Sequence, residues 1–301
     1  MDFAFVAAGL LLLLMGGGWL VSGAVAVAAR LGLSPLVIGV TLVGMGTSAP
    51  ELLTSLRAAH VGAPDLALGN VVGSNIANIL LILGVAAVIA PIAVPRAVWR
   101  RDGLVLLAVT LAGALWLGVA AGLGRFGGAV FLAVFAAWMV WQIREGGDDE
   151  AVDQALPLGR ALALAGVGLA ALMLGADLLV RGGTGLARAF GISEAVIGLT
   201  VVAVGTSLPE LATSVMAARR GRSDLALGNV LGSNVFNLLF ILGTTAVYAP
   251  LAAAPRFAQV DLPVMAAAVV AMLVVAFGGR IGRWAGAALL VLYGLYLWAV
   301  F

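Results

Sequence analysis

Two glutamates stand inside long apolar stretches of this 301-residue sequence, where a carboxylate needs a compensating partner. Glu51 ends the motif Gly46-Thr-Ser-Ala-Pro-Glu51, and Glu210 ends the matching motif Gly205-Thr-Ser-Leu-Pro-Glu210. An acidic residue at the centre of a membrane helix costs roughly 2.5–3.5 kcal/mol on insertion scales. Since no arginine or histidine lies within one helical turn of either glutamate, a bound cation is the simplest compensation. Protonated glutamates that only join helices are the structural alternative, and the matched motifs argue against it.

A proline precedes each glutamate, at Pro50 and Pro209, and proline breaks the hydrogen-bond ladder of a helix. Each half is therefore predicted to contain two half-helices that meet near the middle of the membrane. Carbonyl oxygens released at the break carry the negative end of the helix dipole, which favours a cation. We assign this role to Gly44 and Ala203. The motifs also supply hydroxyl oxygens, from Thr47, Ser48, Thr206 and Ser207. We predict that these hydroxyls contact the ion, cap the second half-helix, or do both.

A stripe of polar residues follows on the next apolar segment of each half. Asn70, Ser74 and Asn78 recur at intervals of four, which places them on one helix face. The second half repeats the stripe with Asn229, Ser233 and Asn237. Such residues can join helices by hydrogen bonds alone. We predict a structural role for the first asparagine of each stripe and assign the remaining members to the ion site, namely Ser74, Asn78, Ser233 and Asn237.

The candidate ligands are carboxylate, carbonyl, hydroxyl and amide oxygens. The chain has no cysteine, and its single histidine, His60, lies near the end of an apolar segment. All-oxygen sites suit hard cations such as Ca2+, and two glutamates supply the charge that one Ca2+ balances. Asp65 and Asp224 precede the polar stripes and are predicted to lie at helix ends, outside the site. We predict no cofactor.

The composition places these residues in a membrane protein. Hydrophobic residues make up 63% of the chain and charged residues 10%, against roughly 25% charged residues in a soluble domain. A membrane-spanning helix needs roughly 20 apolar residues, so the length allows about ten spans. The net charge of +2 is too small to indicate a nucleic-acid partner, and membrane lipid is the expected surrounding.

The chain contains an internal repeat, in which matching motif residues are 159 positions apart, as Glu51 and Glu210 are. We predict an all-α polytopic fold of ten transmembrane helices, with five-helix repeats at 1–143 and 159–301 and a linker at 144–158. An odd number of spans per half inverts the second repeat relative to the first, as in many transporters. The expected spans are 3–29, 33–60, 66–90, 103–122, 126–143, 159–189, 192–219, 225–249, 260–279 and 284–300.

Arginine placement predicts the orientation. With these spans, 11 of the 16 basic residues fall on one side of the membrane, and the richer side is normally cytoplasmic. The linker is therefore expected inside the cell and both termini outside, in a prokaryotic inner (plasma) membrane.

The paired Gly-Thr-Ser-x-Pro-Glu and Gly-Asn-x-x-Gly-Ser-Asn motifs resemble the two α-repeats of the sodium/calcium exchanger family, most closely its compact prokaryotic members. The resemblance covers essentially the whole chain. It implies ion sites where the second, third, seventh and eighth spans cross, with Glu51 and Glu210 as shared Ca2+ and Na+ carboxylates. It also implies antiport by alternating access, in which the first and sixth spans slide past a fixed core. Some relatives, including potassium-dependent ones, carry aspartate where Asn237 stands, so this asparagine argues against coupling to K+.

Three other functions are open to a chain of this kind. A proton-coupled Ca2+ antiporter is the nearest, but the proton/calcium branch has a different motif around its glutamate. A passive cation channel could use the same oxygens, although inverted repeats with broken helices favour antiport. An intramembrane enzyme would need a nucleophile with a base, or a metal, inside the membrane, and the sequence has no cysteine and one peripheral histidine.

Overall fold

The computed structural model describes residues 2–145, 156–190 and 203–300. Most of the expected linker at 144–158 and the beginning of the expected span 192–219 lie outside these ranges. The helices are α1 (Asp2–Leu31), α2 (Pro35–Thr47), α3 (Ala49–His60), α4 (Pro64–Ile89), α5 (Arg96–Val119), α6 (Arg125–Glu145), α7 (Leu158–Ala189), α8 (Ala203–Thr206), α9 (Leu208–Arg219), α10 (Ser223–Tyr248), α11 (Phe257–Ala276) and α12 (Arg283–Val300). The strands are β1 (Ile92–Ala93), β2 (Gly122–Leu123), β3 (Leu251–Ala252) and β4 (Arg280–Ile281).

Helix ends follow from proline and glycine positions. Pro35 and Pro64 stand in the first turns of α2 and α4, where the missing N–H of proline has no helical partner to lose. Gly62 joins α3 to α4 with φ of 72°, and its counterpart Gly221 joins α9 to α10 with φ of 70°. This left-handed conformation suits glycine and allows the chain to reverse within a few residues. The two turns therefore place each glutamate-bearing helix beside the polar stripe that follows it.

Eight of the described helices are long and apolar enough to cross a membrane, and α2 with α3 forms a ninth candidate span bent by 43° at its break. The expected tenth span contains α8 and α9, which begin at the edge of the described residues. Strand pairing requires this crossing. β1 pairs with β4, so both strands lie on the same side of the membrane. Without a crossing through α8 and α9, five spans would separate β1 from β4, namely α5, α6, α7, α10 and α11. An odd number of spans would leave the two strands on opposite sides of the membrane.

The second ribbon gives the same result, because β2 pairs with β3 and needs an even number of intervening spans. Each ribbon joins the two halves of the chain. Ile92 pairs with Ile281, and Leu123 pairs with Leu251. An offset of 159 residues relates β1 to β3, and an offset of 158 relates β2 to β4, so the ribbons are repeat-related copies on opposite sides of the membrane.

Helices α1 and α7, which the offset makes equivalent, pack side by side along their length. A side-chain carbon added at Gly9 would lie 2.7 Å from the carbonyl oxygen of Gly175, and one added at Gly16 would lie 2.8 Å from that of Gly168. Successive contacts pair rising residue numbers of α1 with falling residue numbers of α7. The two equivalent helices therefore run antiparallel. This arrangement agrees with the predicted inversion of the repeats.

The core is formed by the helices that carry the polar motifs. The percentages of buried residues in an 18-residue apolar stretch of each helix show this. They are 94% for α10 and 72% for α4, whereas the value for α12 is 11%. Helix α2 reaches α10 closely, because a side-chain carbon at Gly228 would lie 2.5 Å from the carbonyl oxygen of Leu36. Helices α5, α6, α11 and α12 lie outside this core.

Candidate cation site

The two glutamates occupy matched positions at the centre of the protein. Each lies in the first turn of a second half-helix, Glu51 in α3 and Glu210 in α9, and each is 1% exposed. Ser48 and Ser207 interrupt the helices with nearly equal backbone angles, φ −83° and ψ 8° against φ −90° and ψ 6°. The predicted half-helices are therefore present in the first half, and α8 and α9 show the same break in the described part of the second half. Proline follows each break in the first helical turn, where it is tolerated.

The serines at these breaks bind the glutamates of the opposite half. Ser48 Oγ donates to Glu210 Oε1 over 3.0 Å, and Ser207 Oγ donates to Glu51 Oε1 over 3.3 Å. Neither serine side chain caps its own helix. The capping alternative is therefore wrong for both serines. Each carboxylate is instead held by the motif of the other repeat, so the two halves build one site.

One oxygen of each carboxylate remains without a partner. Oε2 of Glu51 and Oε2 of Glu210 are buried and have no hydrogen-bond partner among the described residues, and the same is true of Asn78 Oδ1 and of both side-chain polar atoms of Asn237. Buried polar atoms are nearly always paired, and unpaired ones require an explanation. A cation that binds these oxygens would remove the cost of burying them.

Other buried carboxylates show how the protein compensates a charge when no ion is needed. Asp102 lies near the start of α5 and is 4% exposed. Gln142 Nε2 donates to its Oδ1 over 2.7 Å, and Arg101 Nε lies 3.1 Å from its Oδ2. Asp261, the repeat-related residue, accepts from Tyr296 and pairs with Arg256 at 3.4 Å. Both aspartates are satisfied by neighbouring side chains, unlike the two glutamates.

The first asparagine of each polar stripe clamps the glutamate helix. Asn70 Nδ2 donates to the backbone carbonyl of Glu51 over 3.0 Å and to Ser55 Oγ over 2.9 Å. Asn229 makes the equivalent bonds, to the Glu210 carbonyl over 3.3 Å and to Ser214 over 2.9 Å. The structural role predicted for this pair agrees with these contacts.

The threonines of the two motifs lie beside the serines. Thr47 is fully buried, and its Oγ1 donates to the Val43 carbonyl over 3.0 Å and approaches Asn229 Oδ1 at 3.3 Å. Thr206 ends α8 and is partly buried. The hydroxyls of Ser74 and Ser233 are buried on the stripes, and Ser233 Oγ reaches the Gly44 carbonyl over 3.4 Å.

The expectation that the carbonyl of Gly44 loses its helical partner is wrong, because the Ser48 N–H donates to it over 3.2 Å. A helical N–H bonds the carbonyl four residues earlier. Pro50 has no N–H, so the carbonyl that it releases belongs to Gly46. Ala203 begins α8 at the place equivalent to Gly44. Since a carbonyl oxygen has two lone pairs, ion contact by either carbonyl stays a prediction.

The family model described as "Sodium/calcium exchanger protein" matches residues 1–144 and 160–301. This chain belongs to the sodium/calcium exchanger family. It is 40% identical to the putative antiporter CaxA of Alkalimonas amylolytica, over 99% of this chain and 98% of that protein. It is 32% identical to the sodium/calcium exchanger MaX1 of Methanosarcina acetivorans, over 100% and 98% of the two chains.

A solved structure has the same fold as this exchanger-family chain. The sodium-calcium exchanger NCX_Mj, soaked with zero Na+ and Ca2+, superposes with a TM-score of 0.90 at 34% identity, over 100% of this chain and 99% of that one. This likeness confirms the predicted all-helical membrane fold and the resemblance to compact prokaryotic exchangers.

Within the described residues of this exchanger-family chain, no group of three or more His, Cys, Asp or Glu side chains could hold a metal ion. The site instead has two carboxylates surrounded by neutral oxygens, a set of ligands that suits hard cations. Asn78 and Asn237 also lie in π-helical turns, Asn78–Ile82 and Phe236–Ile241, a distortion that is frequent at functional sites.

Two further buried asparagines of this exchanger lie next to the predicted ligands and were given no role from the sequence. Asn75 Nδ2 donates to the Asn234 carbonyl over 3.2 Å, which joins α4 to α10. The Oδ1 atoms of both residues are buried without a partner among the described residues. The recurrence of Gly-Ser-Asn at 73–75 and 232–234 was the signal that marked them.

Proposed function

We propose that this chain is a secondary active antiporter that exchanges Ca2+ for Na+ across the membrane by alternating access. The observation that carries the proposal is the pair of buried glutamates, Glu51 and Glu210, each with one carboxylate oxygen that no described residue satisfies. The names of MaX1 and NCX_Mj, both sodium/calcium exchangers, support the choice of ions. The chain acts as a transporter and not as an enzyme, and it needs no resident cofactor.

The proposed transport site uses oxygens from both repeats. The two glutamates provide the charge, and one Ca2+ or several Na+ ions occupy the same set of ligands in turn. Because each glutamate is oriented by a serine of the opposite half, both ions depend on both repeats. The proposed ligands are Glu51, Glu210, Thr47, Ser48, Ser74, Asn78, Thr206, Ser207, Ser233 and Asn237, with the carbonyls of Gly44 and Ala203.

The proposed moving element is the pair α1 and α7. These helices meet each other through glycines and so pack as one unit. Helix α1 also presents glycine to the core, because a side-chain carbon added at Gly17 would lie 3.1 Å from the Ala212 carbonyl oxygen of α9. Such a surface suits sliding better than a surface of interdigitated large residues. Movement of this pair past the core would expose the glutamates to one side of the membrane and then the other.

The proposed organisation has five-helix repeats at 1–143 and 159–301 that flank a cytoplasmic linker at 144–158. Both termini lie outside the cell, in an inner (plasma) membrane of a prokaryote. The excess of arginine on the linker side supports this orientation. The two separate ranges of the family match, 1–144 and 160–301, support the division into repeats.

Flux into vesicles tests the function directly. Purified protein is reconstituted into vesicles that are loaded with Na+ and then diluted into Na+-free medium containing Ca2+. We expect Ca2+ uptake that requires the outward Na+ gradient. Uptake that proceeds equally on a pH gradient without Na+ would assign the chain to proton-coupled antiport. Ca2+ uptake with neither a Na+ gradient nor a pH gradient would indicate a channel.

A further inference from the structure

A cleft of about 280 Å3 opens on the arginine-rich side of the molecule, where α5 begins and α11 ends. It lies next to the β1–β4 ribbon, and none of its lining residues belongs to the glutamate motifs. The residues that line it are Val94, Arg96, Trp99, Arg100, Ala276 and Phe277.

Two guanidinium groups of this cleft are available to a ligand. Arg96 and Arg100 are exposed, and within the described residues neither forms an ion pair or a hydrogen bond. The next residue, Arg101, behaves differently, because it is bound to Asp102 and Gln142. The cleft therefore presents two positive charges that no side chain in the described part of the chain neutralises.

The wall of the cleft is aromatic and held in place. Trp99 Nε1 donates to the Leu273 carbonyl over 2.8 Å, which fixes the indole against the end of α11. The Trp99 and Phe277 rings meet edge to face with centroids 5.7 Å apart, and Phe277 is 67% exposed. Tryptophan commonly lies at the level of lipid headgroups, where one end of its ring is apolar and the other is wet. Cations and apolar rings thus share one opening at the membrane interface.

Pseudo-symmetry shows that this cleft is not simply a product of the fold. The offset of 159 residues relates Arg96, Trp99 and Arg100 to Pro255, Ala258 and Gln259. It relates Phe277 to Gly118, where an added side-chain carbon would lie 3.9 Å from Ala258 Cβ. On the opposite side, the positions equivalent to these four therefore hold neither arginine nor an aromatic residue, and the adjacent Arg256 is paired with Asp261.

We propose that this cleft binds the phosphodiester headgroup of an acidic membrane phospholipid. Arg96 and Arg100 would bind the phosphate, since the planar guanidinium matches phosphate geometry and bidentate pairs are strong. The first part of an acyl chain would lie against Trp99 and Phe277. Basic pockets between transmembrane helices recognise lipid headgroups in this way. The lipid site belongs to the arginine-rich side only.

Lipid binding to the full-length protein tests the proposal. Protein in a zwitterionic detergent is titrated with phosphatidylglycerol or phosphatidylcholine, and bound lipid is counted by native mass spectrometry. We expect one tightly retained phosphatidylglycerol and no comparable phosphatidylcholine. Two arginines near a lipid surface contribute about 1 kcal/mol each, so the double variant Arg96→Gln, Arg100→Gln should bind roughly 30-fold more weakly.

Two control variants, the glutamine variant and a competition with phosphate decide the outcome. Arg57→Gln removes an exposed arginine from the opposite side and should leave binding unchanged. The double variant Arg96→Lys, Arg100→Lys keeps both charges and should bind with intermediate affinity, which separates lost recognition from misfolding. Equal retention by wild type and the glutamine variant would overturn the proposal. Displacement of the lipid by millimolar inorganic phosphate would overturn it too, because the cleft would then be a general anion site.

Discussion

Ser48 and Glu210 come from opposite halves of the chain, and the serine hydroxyl donates to Oε1 of the glutamate over 3.0 Å. Ser207 and Glu51 repeat the contact over 3.3 Å. Each serine occupies one carboxylate oxygen of the opposite repeat and leaves the other oxygen, Oε2, without a partner among the described residues. The arrangement orients both carboxylates without neutralising them, so their charge stays available to a cation.

The serine hydroxyls should therefore set ion affinity. Ser48→Ala or Ser207→Ala removes a donor to a charged group, a contact that contributes about 1.5–3 kcal/mol. We expect the half-saturating Ca2+ concentration for Na+-driven uptake to rise by roughly one to two decades in each variant. Ser48→Thr keeps a hydroxyl and should retain most of the affinity. Alanine variants with wild-type affinity would show that these hydroxyls do not orient the carboxylates.

The glycine contact between α1 and α7 should tolerate no side chain. A carbon added at Gly168 would lie 2.8 Å from the carbonyl oxygen of Gly16, so Gly168→Ala must push the two backbones apart. We expect a clear fall in the melting temperature and a large loss of flux. Gly166→Ala is the matched control, because a carbon there meets nothing within 4 Å. In the control, alanine should stabilise the helix by about 0.5–1 kcal/mol. Equal behaviour of the two variants would contradict close packing at Gly168.

Much of this architecture was predictable, because the repeat, the proline breaks and the paired glutamates are local features of the sequence. The side-chain partners were not. The direction of the Ser48 hydroxyl depends on how α2 and α9 cross, and no local pattern encodes that crossing. Compensation of Asp102 by Gln142 likewise depends on the packing of α5 against α6. The released carbonyl was misassigned to Gly44 because the four-residue step back from Pro50 leads to Gly46.

Cysteine labelling should test the orientation, and the cysteine-free chain makes the result simple to read. A cysteine at Asp149, in the predicted cytoplasmic linker, should resist a membrane-impermeant thiol reagent in intact cells. A cysteine at Val61, which is 73% exposed in the turn between α3 and α4, should react readily. Permeabilised cells provide the control, since both positions should then react. The reverse pattern in intact cells would place the termini inside.

Potassium should have no role in exchange. Asn237 is neutral and fully buried, so the proposed site has two carboxylates and no third acidic ligand for an additional cation. We expect the rate of Na+-driven Ca2+ uptake to be the same in K+ and in choline media. Loading of more than two Na+ onto a site with two negative charges also makes exchange electrogenic, so a membrane potential should change the rate. Uptake that requires K+ would contradict the neutral role of Asn237.

The two glutamates provide the decisive test of the site. Glu51→Gln or Glu210→Gln preserves side-chain shape but leaves a single negative charge to bind a divalent ion that must shed its water. Loss of one partner of a buried charge pair costs roughly 3–5 kcal/mol, or about two to four decades in affinity. Folding should suffer less, because neutral glutamine is easier to bury than an unpaired carboxylate. Asp65→Asn is the matched control, since its side-chain oxygen accepts from the Ala254 N–H at a helix end and an asparagine oxygen can do the same. We expect both glutamine variants to fold and to have nearly no Na+-driven Ca2+ flux. Near-normal flux in either variant, normalised to folded protein, would mean that the carboxylates are structural.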